Sequence, residues 1–146
     1  MNILAEHRRA RFDYEILESY EAGIELLGTE VKSAKENRLN LSGSYALIRK
    51  GGVVLLNADI PAYQPKNAPK SYEPDRSRRL LLHKSEIKEL IGASSQKGLT
   101  IIPLKLYNKN GKIKLLMGLA RHKKSQDKRE VIKKREARRE IDRTLR

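Results

Sequence analysis

Residues 12–26 read FDYEILESYEAGIEL, and nearly every second side chain in this stretch is apolar. Seven of the eight even-numbered positions are apolar, and the exception is Glu18. An alternation with a period of two is typical of a β-strand that buries one face. Because the stretch is long for one strand, we expect it to bend, and Gly23 is the position that best suits a bend or bulge. A long, coiled first strand favours a small closed or nearly closed barrel.

Further along the chain, two pairs of apolar segments predict β-hairpins. Each pair is separated by a turn that contains glycine, which readily adopts the left-handed backbone conformation of tight hairpins. The first hairpin joins residues 44–49 to 53–57 across Lys50-Gly51-Gly52, and the second joins residues 99–107 to 112–119 across Asn108-Lys109-Asn110-Gly111. Pro103 has no N–H to donate, so its segment needs an edge position or a bulge there.

The remaining segments predict two short helices, one short strand and a long loop. Residues 30–36 follow the hydroxyl of Thr29, which we expect to cap a helix that ends at Asn37. Residues 85–96 have apolar side chains at helical spacing and end before Gly98. Residues 79–83 form a short apolar segment, and residues 61–75 hold four of the five prolines and predict a surface loop.

Together these elements predict a mainly β protein with a Greek-key barrel like that of oligonucleotide-binding (OB) domains. We expect about six strands and two or three short helices, because no alternation of strand and helix indicates a parallel sheet. The barrel should span residues 1–120, and residues 121–146 should form a basic C-terminal tail.

The charge of the chain is large and clustered. Residues 121–146 hold 12 Lys and Arg against 5 Asp and Glu, a net charge of +7, and the other 120 residues hold 20 against 13, also +7, which gives +14 in total. A basic body with a cationic end favours a polyanionic partner, with RNA ahead of an anionic membrane. The tail should be disordered when free and helical when bound, because helix formers dominate it and few apolar residues interrupt them. The alternative is a solvated tail that only raises solubility.

Composition also limits the class of protein. The absence of Cys excludes disulfides and thiolate metal sites. Neither a signal-peptide core nor an apolar stretch of about 20 residues is present, so we expect a soluble cytoplasmic protein.

Candidate catalytic residues are few. The three histidines, His7, His83 and His122, have no metal-ligand spacing, and no phosphate-binding loop motif is present. Glu30 and Asp127 are single acids in basic surroundings, which favours ion pairs or RNA contacts over general-base chemistry. We therefore expect a protein that is not an enzyme and needs no metal or cofactor.

Two groups of arginines are the candidate RNA-binding residues of the body. Guanidinium groups bind phosphates in a bidentate manner, and tyrosine rings can stack on unpaired bases. The first group is Arg8, Arg9 and Arg11, and the second is Arg76, Arg78 and Arg79, near Tyr63 and Tyr72, for which core packing and base stacking stay open alternatives.

Four segments, in this order, resemble those of the SmpB (small protein B) family, the partners of transfer-messenger RNA in bacteria. They are YEAGI with Leu26 and GTEVKS at residues 20–33, PDRSRRLLLH at residues 74–83, GLTIIPLKLY at residues 98–107, and the tail residues Lys123-Lys124 and Asp127-Lys128-Arg129. The resemblance runs from about Arg8 to the end of the chain.

The resemblance implies an OB-like barrel that grips the tRNA-like part of transfer-messenger RNA and delivers it to stalled ribosomes for trans-translation. The tail would enter the decoding site, beside the small-subunit rRNA, and the empty messenger channel. Elongation factor Tu and alanyl-tRNA synthetase would be indirect partners through the RNA, and no membrane is implied. By resemblance, Glu30, Lys32 and residues 80–82, including Leu82, join the arginines on the RNA face, and Lys123, Lys124, Asp127, Lys128 and Arg129 belong to the decoding-site segment.

Three positions depart from the family pattern. His122 replaces a Gly before the paired lysines, Gln126 replaces a ring residue that would stack on a decoding-site base, and His7 replaces an Asn. One hypothesis is that His122 supplies the missing ring. The alternative functions are a general RNA-binding or ribosomal-type OB barrel without a dedicated RNA partner and, in a different class, a small RNA-processing nuclease.

Overall fold

The computed structural model of the protein describes residues 2–124, 129 and 132–139. Seven strands and three helices lie within residues 2–124, and residue 129 and residues 132–139 are also helical. In chain order they are β1 (Asn2–Glu6), α1 (Ala10–Asp13), β2 (Tyr14–Ile24), α2 (Gly28–Lys35), β3 (Tyr45–Arg49), β4 (Gly52–Leu56), β5 (Arg78–Leu81), α3 (Lys84–Ser94), β6 (Leu99–Lys109) and β7 (Lys112–His122).

Six of the strands close into an antiparallel barrel. Around the barrel the strands follow the order β6, β3, β4, β5, β2 and β7, and each pairs with the next one. β7 pairs with β6 and closes the ring. The predicted OB-like barrel of about six strands is therefore confirmed. β1 is a seventh strand, which lies on β6 outside the ring. Neither β1 nor the four-residue α1 was predicted, because residues 2–6 show no clear alternation and residues 10–13 show no helical spacing.

The long strand with alternating side chains is β2, and it begins two residues later than its sequence pattern indicates. Phe12 and Asp13 continue the alternation but belong to α1, and β2 begins at Tyr14. The register of β2 against β7 shifts between Ile16 and Glu18 and continues without a shift from Glu18 through Gly23, so a bulge at Gly23 is wrong, and a bend there stays a prediction. Gly23 instead allows close approach of β5, because an added Cβ would lie 3.3 Å from the Cβ of Leu81.

Both predicted hairpins are confirmed. Their turns place Lys50-Gly51 and Asn110-Gly111 at positive φ, with values of 49° and 76° and of 52° and 79°. Two consecutive left-handed residues are typical of the turn that matches the twist of antiparallel strands. Pro103 lies beside a register shift between β6 and β7, as the missing N–H predicted.

The two predicted helices form, but α2 begins differently. Thr29 lies inside α2, whose N-cap is Leu27, and the carboxylate of Glu30 accepts the Leu27 N–H at 2.8 Å. Asn37 follows the helix with φ of 59°, as expected of a residue that ends it. The barrel core is filled by apolar side chains from the strands, and Leu90 of α3 packs among them, fully buried.

The last strand of the barrel extends past residue 120, and the division into a barrel and a tail stays a prediction. β7 continues past residue 120 to His122, and Ala120 is fully buried. Among the residues that the structure describes, no helix is long and apolar enough to cross a membrane.

Candidate RNA interface

A buried ion cluster joins α2 to the start of β5. The carboxylate of Glu30 accepts hydrogen bonds from Arg78, at 3.0 Å from Nε and 2.6 Å from Nη2, and from Arg76 Nε at 3.1 Å. The hydroxyl of Tyr72 also donates to Glu30, at 3.2 Å. Burial alone would raise the pKa of Glu30, but the hydrogen bonds from Arg76, the Leu27 N–H and Arg78 hold that pKa below its ordinary value. The carboxylate is therefore charged at neutral pH.

This cluster holds two residues of the predicted RNA face. The side chains of Glu30 and Arg78 are both 0% exposed. Arg78 points inward in β5, where Glu30 neutralises it, and whether either residue contributes to RNA binding stays a prediction. Of the other predicted residues in this region, Arg76 has a side chain that is 31% exposed, and Lys32 and Arg79 are exposed.

The three leucines that follow in β5 and after it divide between core and surface. Leu80 is buried, and the half-buried Leu82 packs against the same core. Leu81 is 48% exposed. Of this predicted segment, Leu81 rather than Leu82 offers the largest apolar surface to a partner.

Near Leu81 lies a charged group that the sequence did not single out. Leu81 pairs with Gly23, which pairs in turn with Lys114. Glu21, on the same face of β2 as Gly23, accepts hydrogen bonds from Tyr107 and Lys109, and these bonds lower its pKa against the effect of burial. Burial and the Glu21 carboxylate raise the pKa of Tyr107 to about 12. The signal that could have found this group was the parity of β2, which places residues 21 and 23 on its outer face.

The N-terminal arginines lie around α1. Arg8, Arg9 and Arg11 are exposed, and Arg9 forms an ion pair with Asp13 at 3.7 Å. Arg8 and Arg11 line a cavity of about 290 Å³ together with His7 and Lys105. His7 Nδ1 lies 3.0 Å from the carbonyl oxygen of Pro103, which attaches this segment to the barrel. Arg8, Arg11 and Lys105 outnumber Glu6 in the lining of this cavity, so this end of the barrel carries an excess of positive charge, and its role in RNA binding stays a prediction.

The tail begins on the same surface. Its first residue after β7, Lys123, donates its N–H to the carbonyl of Asp13 and its Nζ to the carbonyl of Arg11, each at 2.8 Å. The His122 ring meets Tyr14 edge-on at 4.9 Å, so in this structure His122 belongs to the end of the barrel. Whether it can replace the ring missing at position 126 stays a prediction.

Part of the predicted decoding-site segment lies outside the described residues, namely Gln126, Asp127 and Lys128. Lys124 and Arg129 are exposed. Residues 132–139 are helical with every side chain exposed. One of them, Arg135, lies over the ring of Phe12 at 5.8 Å. The predicted disorder of the free tail stays a prediction.

The exposed arginines and lysines described above suit the binding of a polyanion. Within residues 2–124, 129 and 132–139, no group of three His, Cys, Asp or Glu side chains could hold a metal ion. The carboxylate with the most hydrogen-bond donors, Glu30, is enclosed by arginines and has no access to solvent.

Comparisons with known proteins agree with this interpretation. The family model for SmpB protein matches residues 4–146. An SsrA-binding protein of Thermosynechococcus vestitus is 50% identical over 145 residues, which cover 99% of this chain and 95% of that protein. An SsrA-binding protein of Ligilactobacillus salivarius is 51% identical over 144 residues, which cover 99% and 92% of the two chains. A solved structure described as "tmRNA-SmpB: a journey to the center of the bacterial ribosome" contains a chain with a TM-score of 0.70 and 48% identity, and the match covers 88% of this chain and 93% of that one. This chain therefore belongs to the SmpB family.

Proposed function

We propose that this protein binds transfer-messenger RNA, also called SsrA RNA, and acts with it in the rescue of stalled ribosomes by trans-translation. The observation that carries the proposal is the extent of the match to a protein named SsrA-binding, which is 50% identical over 99% of this chain. The basic tail is thus shared along with the barrel. A relative placed by its description with tmRNA and the bacterial ribosome supports the same two partners.

The barrel supplies the surface for the folded RNA in this proposal. Exposed cations support that role at two places, with Arg8 and Arg11 near α1, and Lys32 and Arg79 near α2 and β5. Glu30 and Arg78 act as positioning residues, since they hold Arg76 and the start of β5 against α2. The exposed Leu81, with Lys114 nearby in the sheet, adds apolar contact of the kind that riboses and bases can cover.

The tail supplies the ribosome contact. Lys123, Lys124 and Arg129, with the residues between them, would lie against the small-subunit rRNA at the decoding site, and the helix that includes residues 132–139 would continue into the messenger channel. Every side chain of residues 132–139 is exposed, and most of them are charged, which supports this role. Elongation factor Tu and alanyl-tRNA synthetase would be indirect partners through the RNA.

The experiment that tests the proposal compares two RNAs and two proteins. Full-length protein and a protein truncated after Lys124 are titrated with transfer-messenger RNA and with mixed tRNA, and both are tested for peptide tagging on stalled ribosomes. We expect both proteins to prefer transfer-messenger RNA and only the full-length protein to support tagging. Equal affinity for the two RNAs would contradict the proposal and favour a general RNA-binding barrel.

A further inference from the structure

A cavity of about 770 Å³ lies between the start of α2 and the loop that follows β4. Its walls come from residues 27–29 on the helix side and from residues 62–73 of the loop, and Arg76 closes it. We call it the proline-loop cavity. Its volume falls within the range of about 300–1,000 Å³ typical of small-ligand pockets.

The proline-loop cavity is held open by the fold. Hydrogen bonds close the base of the loop and tie its first residues to α2, so the wall facing the helix is attached at several points. They run from the Ile60 N–H to the Pro74 carbonyl at 2.9 Å, from Ser33 Oγ to the Pro61 carbonyl at 2.8 Å, from Arg38 Nη1 to the Tyr63 carbonyl at 3.2 Å, and from Tyr72 Oη to the Ile60 carbonyl at 2.6 Å. A compact loop with closed ends of this kind is frequently functional.

The charges around the cavity include one more cation than carboxylate. Arg76 and Arg78 share the carboxylate of Glu30, and Arg76 is the member of this cluster that lines the cavity with an exposed surface. Glu73 also lines the cavity, and Lys32 lies beside the ring of Tyr63, so three cations stand against two carboxylates. Arg76 presents the positive charge to the cavity, where an anionic group such as a phosphate would be stabilised.

The opposite wall offers an aromatic ring and amide groups. Tyr63 lines the cavity, and Lys32 Nζ lies 5.6 Å from its ring centroid, so a second cation is close to the ring. The side-chain amides of Gln64 and Asn67 also line the cavity and bond to each other at 3.0 Å. That bond uses one polar group of each amide, and each has another that can meet the edge of a base.

We propose that the proline-loop cavity binds one unstacked nucleotide of the RNA partner, with its base against Tyr63 and its phosphate facing Arg76. A planar, partly apolar base with an attached anion matches the combination of ring, amides and positive charge on the cavity walls. The inference deepens the proposed function and rests on it, because the nucleotide belongs to the same transfer-messenger RNA.

The test removes the ring while preserving apolar volume. Full-length Tyr63→Leu and Tyr63→Phe proteins are titrated with labelled transfer-messenger RNA by filter binding, beside the wild type. Loss of one stacked base weakens binding by about 5- to 150-fold, so we expect the Kd of Tyr63→Leu to rise within that range. Tyr63→Phe keeps the ring and should bind as the wild type does.

A second variant covers the case in which Tyr63→Leu is unfolded, as judged by its thermal unfolding curve. Ala68→Trp fills the cavity from the loop and should raise the Kd in the same way. Wild-type affinity in a folded Tyr63→Leu or Ala68→Trp protein would overturn the cavity inference and leave the proposed function standing. A wild-type protein without preference for transfer-messenger RNA over mixed tRNA would overturn both.

Discussion

Arg78 donates two hydrogen bonds to Oε2 of Glu30, at 3.0 and 2.6 Å, and both side chains are fully buried. The remaining donors of Arg78 bond to the carbonyls of Ala58, Arg76 and Pro74 at 2.8 to 3.0 Å, so the guanidinium is well satisfied. A buried charge is tolerated only when it is paired and hydrogen-bonded in this way. The pair therefore determines how α2, the loop of residues 61–75 and β5 pack together.

We predict that Glu30→Gln strongly destabilises the fold. The change leaves the positive charges of Arg76 and Arg78 without their buried carboxylate, and breaking a buried pair of this kind reduces the free energy of unfolding by about 3–5 kcal/mol. Urea denaturation measures the loss. Glu36→Gln is the matched control, because Glu36 forms an exposed pair with Arg38 at 3.8 Å. Similar effects of the two changes would contradict the assignment.

The same carboxylate predicts a pH dependence of stability. The native state holds the pKa of Glu30 below its ordinary value of 4.5, so the native protein binds this proton less readily than the unfolded chain. The stabilisation is complete above the ordinary pKa and is lost as the pH falls through the lowered native pKa. Unfolding free energies measured across the acid range should therefore fall more steeply for the wild type than for Glu30→Gln. Parallel curves would exclude this role of Glu30.

The Glu30 cluster also shows why the direction of the Arg78 side chain could not be predicted from the sequence. Alternation in β5 predicts that Arg78 and Arg79 point to opposite sides, but hydropathy makes both arginines look exposed. The inward direction of Arg78 depends on Glu30, which is 48 residues away in the chain. Partners that distant leave no local signal, whereas the hairpin turns at Gly51 and Gly111 are encoded within a few residues and were predicted correctly.

The start of β2 shows that a local sequence pattern can also mispredict where an element begins. Phe12 and Asp13 match the strand period, yet the chain forms α1 there, where Arg9 lies over the Phe12 ring at 5.0 Å and pairs with Asp13. Periodicity is a preference that tertiary contacts can override at the ends of elements. Within the strand, where Tyr20 and Ala22 face the core, the same periodicity predicted burial correctly.

Two glycines should respond to alanine with opposite signs. A Cβ at Gly118 would lie 3.1 Å from Ile16 Cγ2 and 3.3 Å from Leu104 Cδ1, and both neighbours belong to a packed cluster. We expect Gly118→Ala to lower stability by about 1 kcal/mol through overpacking. Gly92 lies in α3 with nothing within 4 Å of the added atom, so Gly92→Ala should raise stability by about 0.5–1 kcal/mol. Thermal unfolding of both variants checks the prediction, and a stabilised Gly118→Ala would contradict it.

The salt dependence of RNA affinity should distinguish exposed arginines such as Arg8 from the buried Arg78. If the protein neutralises about 6–10 phosphates, its affinity for transfer-messenger RNA should fall roughly 10³- to 10⁵-fold between 50 and 200 mM salt. Arg8→Gln should reduce the slope of log K against log salt by about one and leave stability unchanged. Arg78→Gln should instead lower stability, because it removes the fully buried cation and two of the hydrogen bonds that the buried Glu30 carboxylate accepts. A salt-independent affinity would contradict the phosphate contacts.

The position of a tail truncation should decide whether the barrel keeps its stability and RNA affinity without the tail. A cut after Leu119 would remove the buried Ala120, which pairs with Ile16 and Thr100, and Lys123, which bonds to Asp13. A cut after Lys124 keeps these contacts. We therefore expect the longer protein to retain the melting temperature and RNA affinity of the full chain, and the shorter one to melt at a lower temperature. Both should fail to support tagging on stalled ribosomes, since each lacks the segment from residue 125 onward. If the longer protein also lost its RNA affinity, the tail itself would contribute to the RNA-binding surface of the barrel.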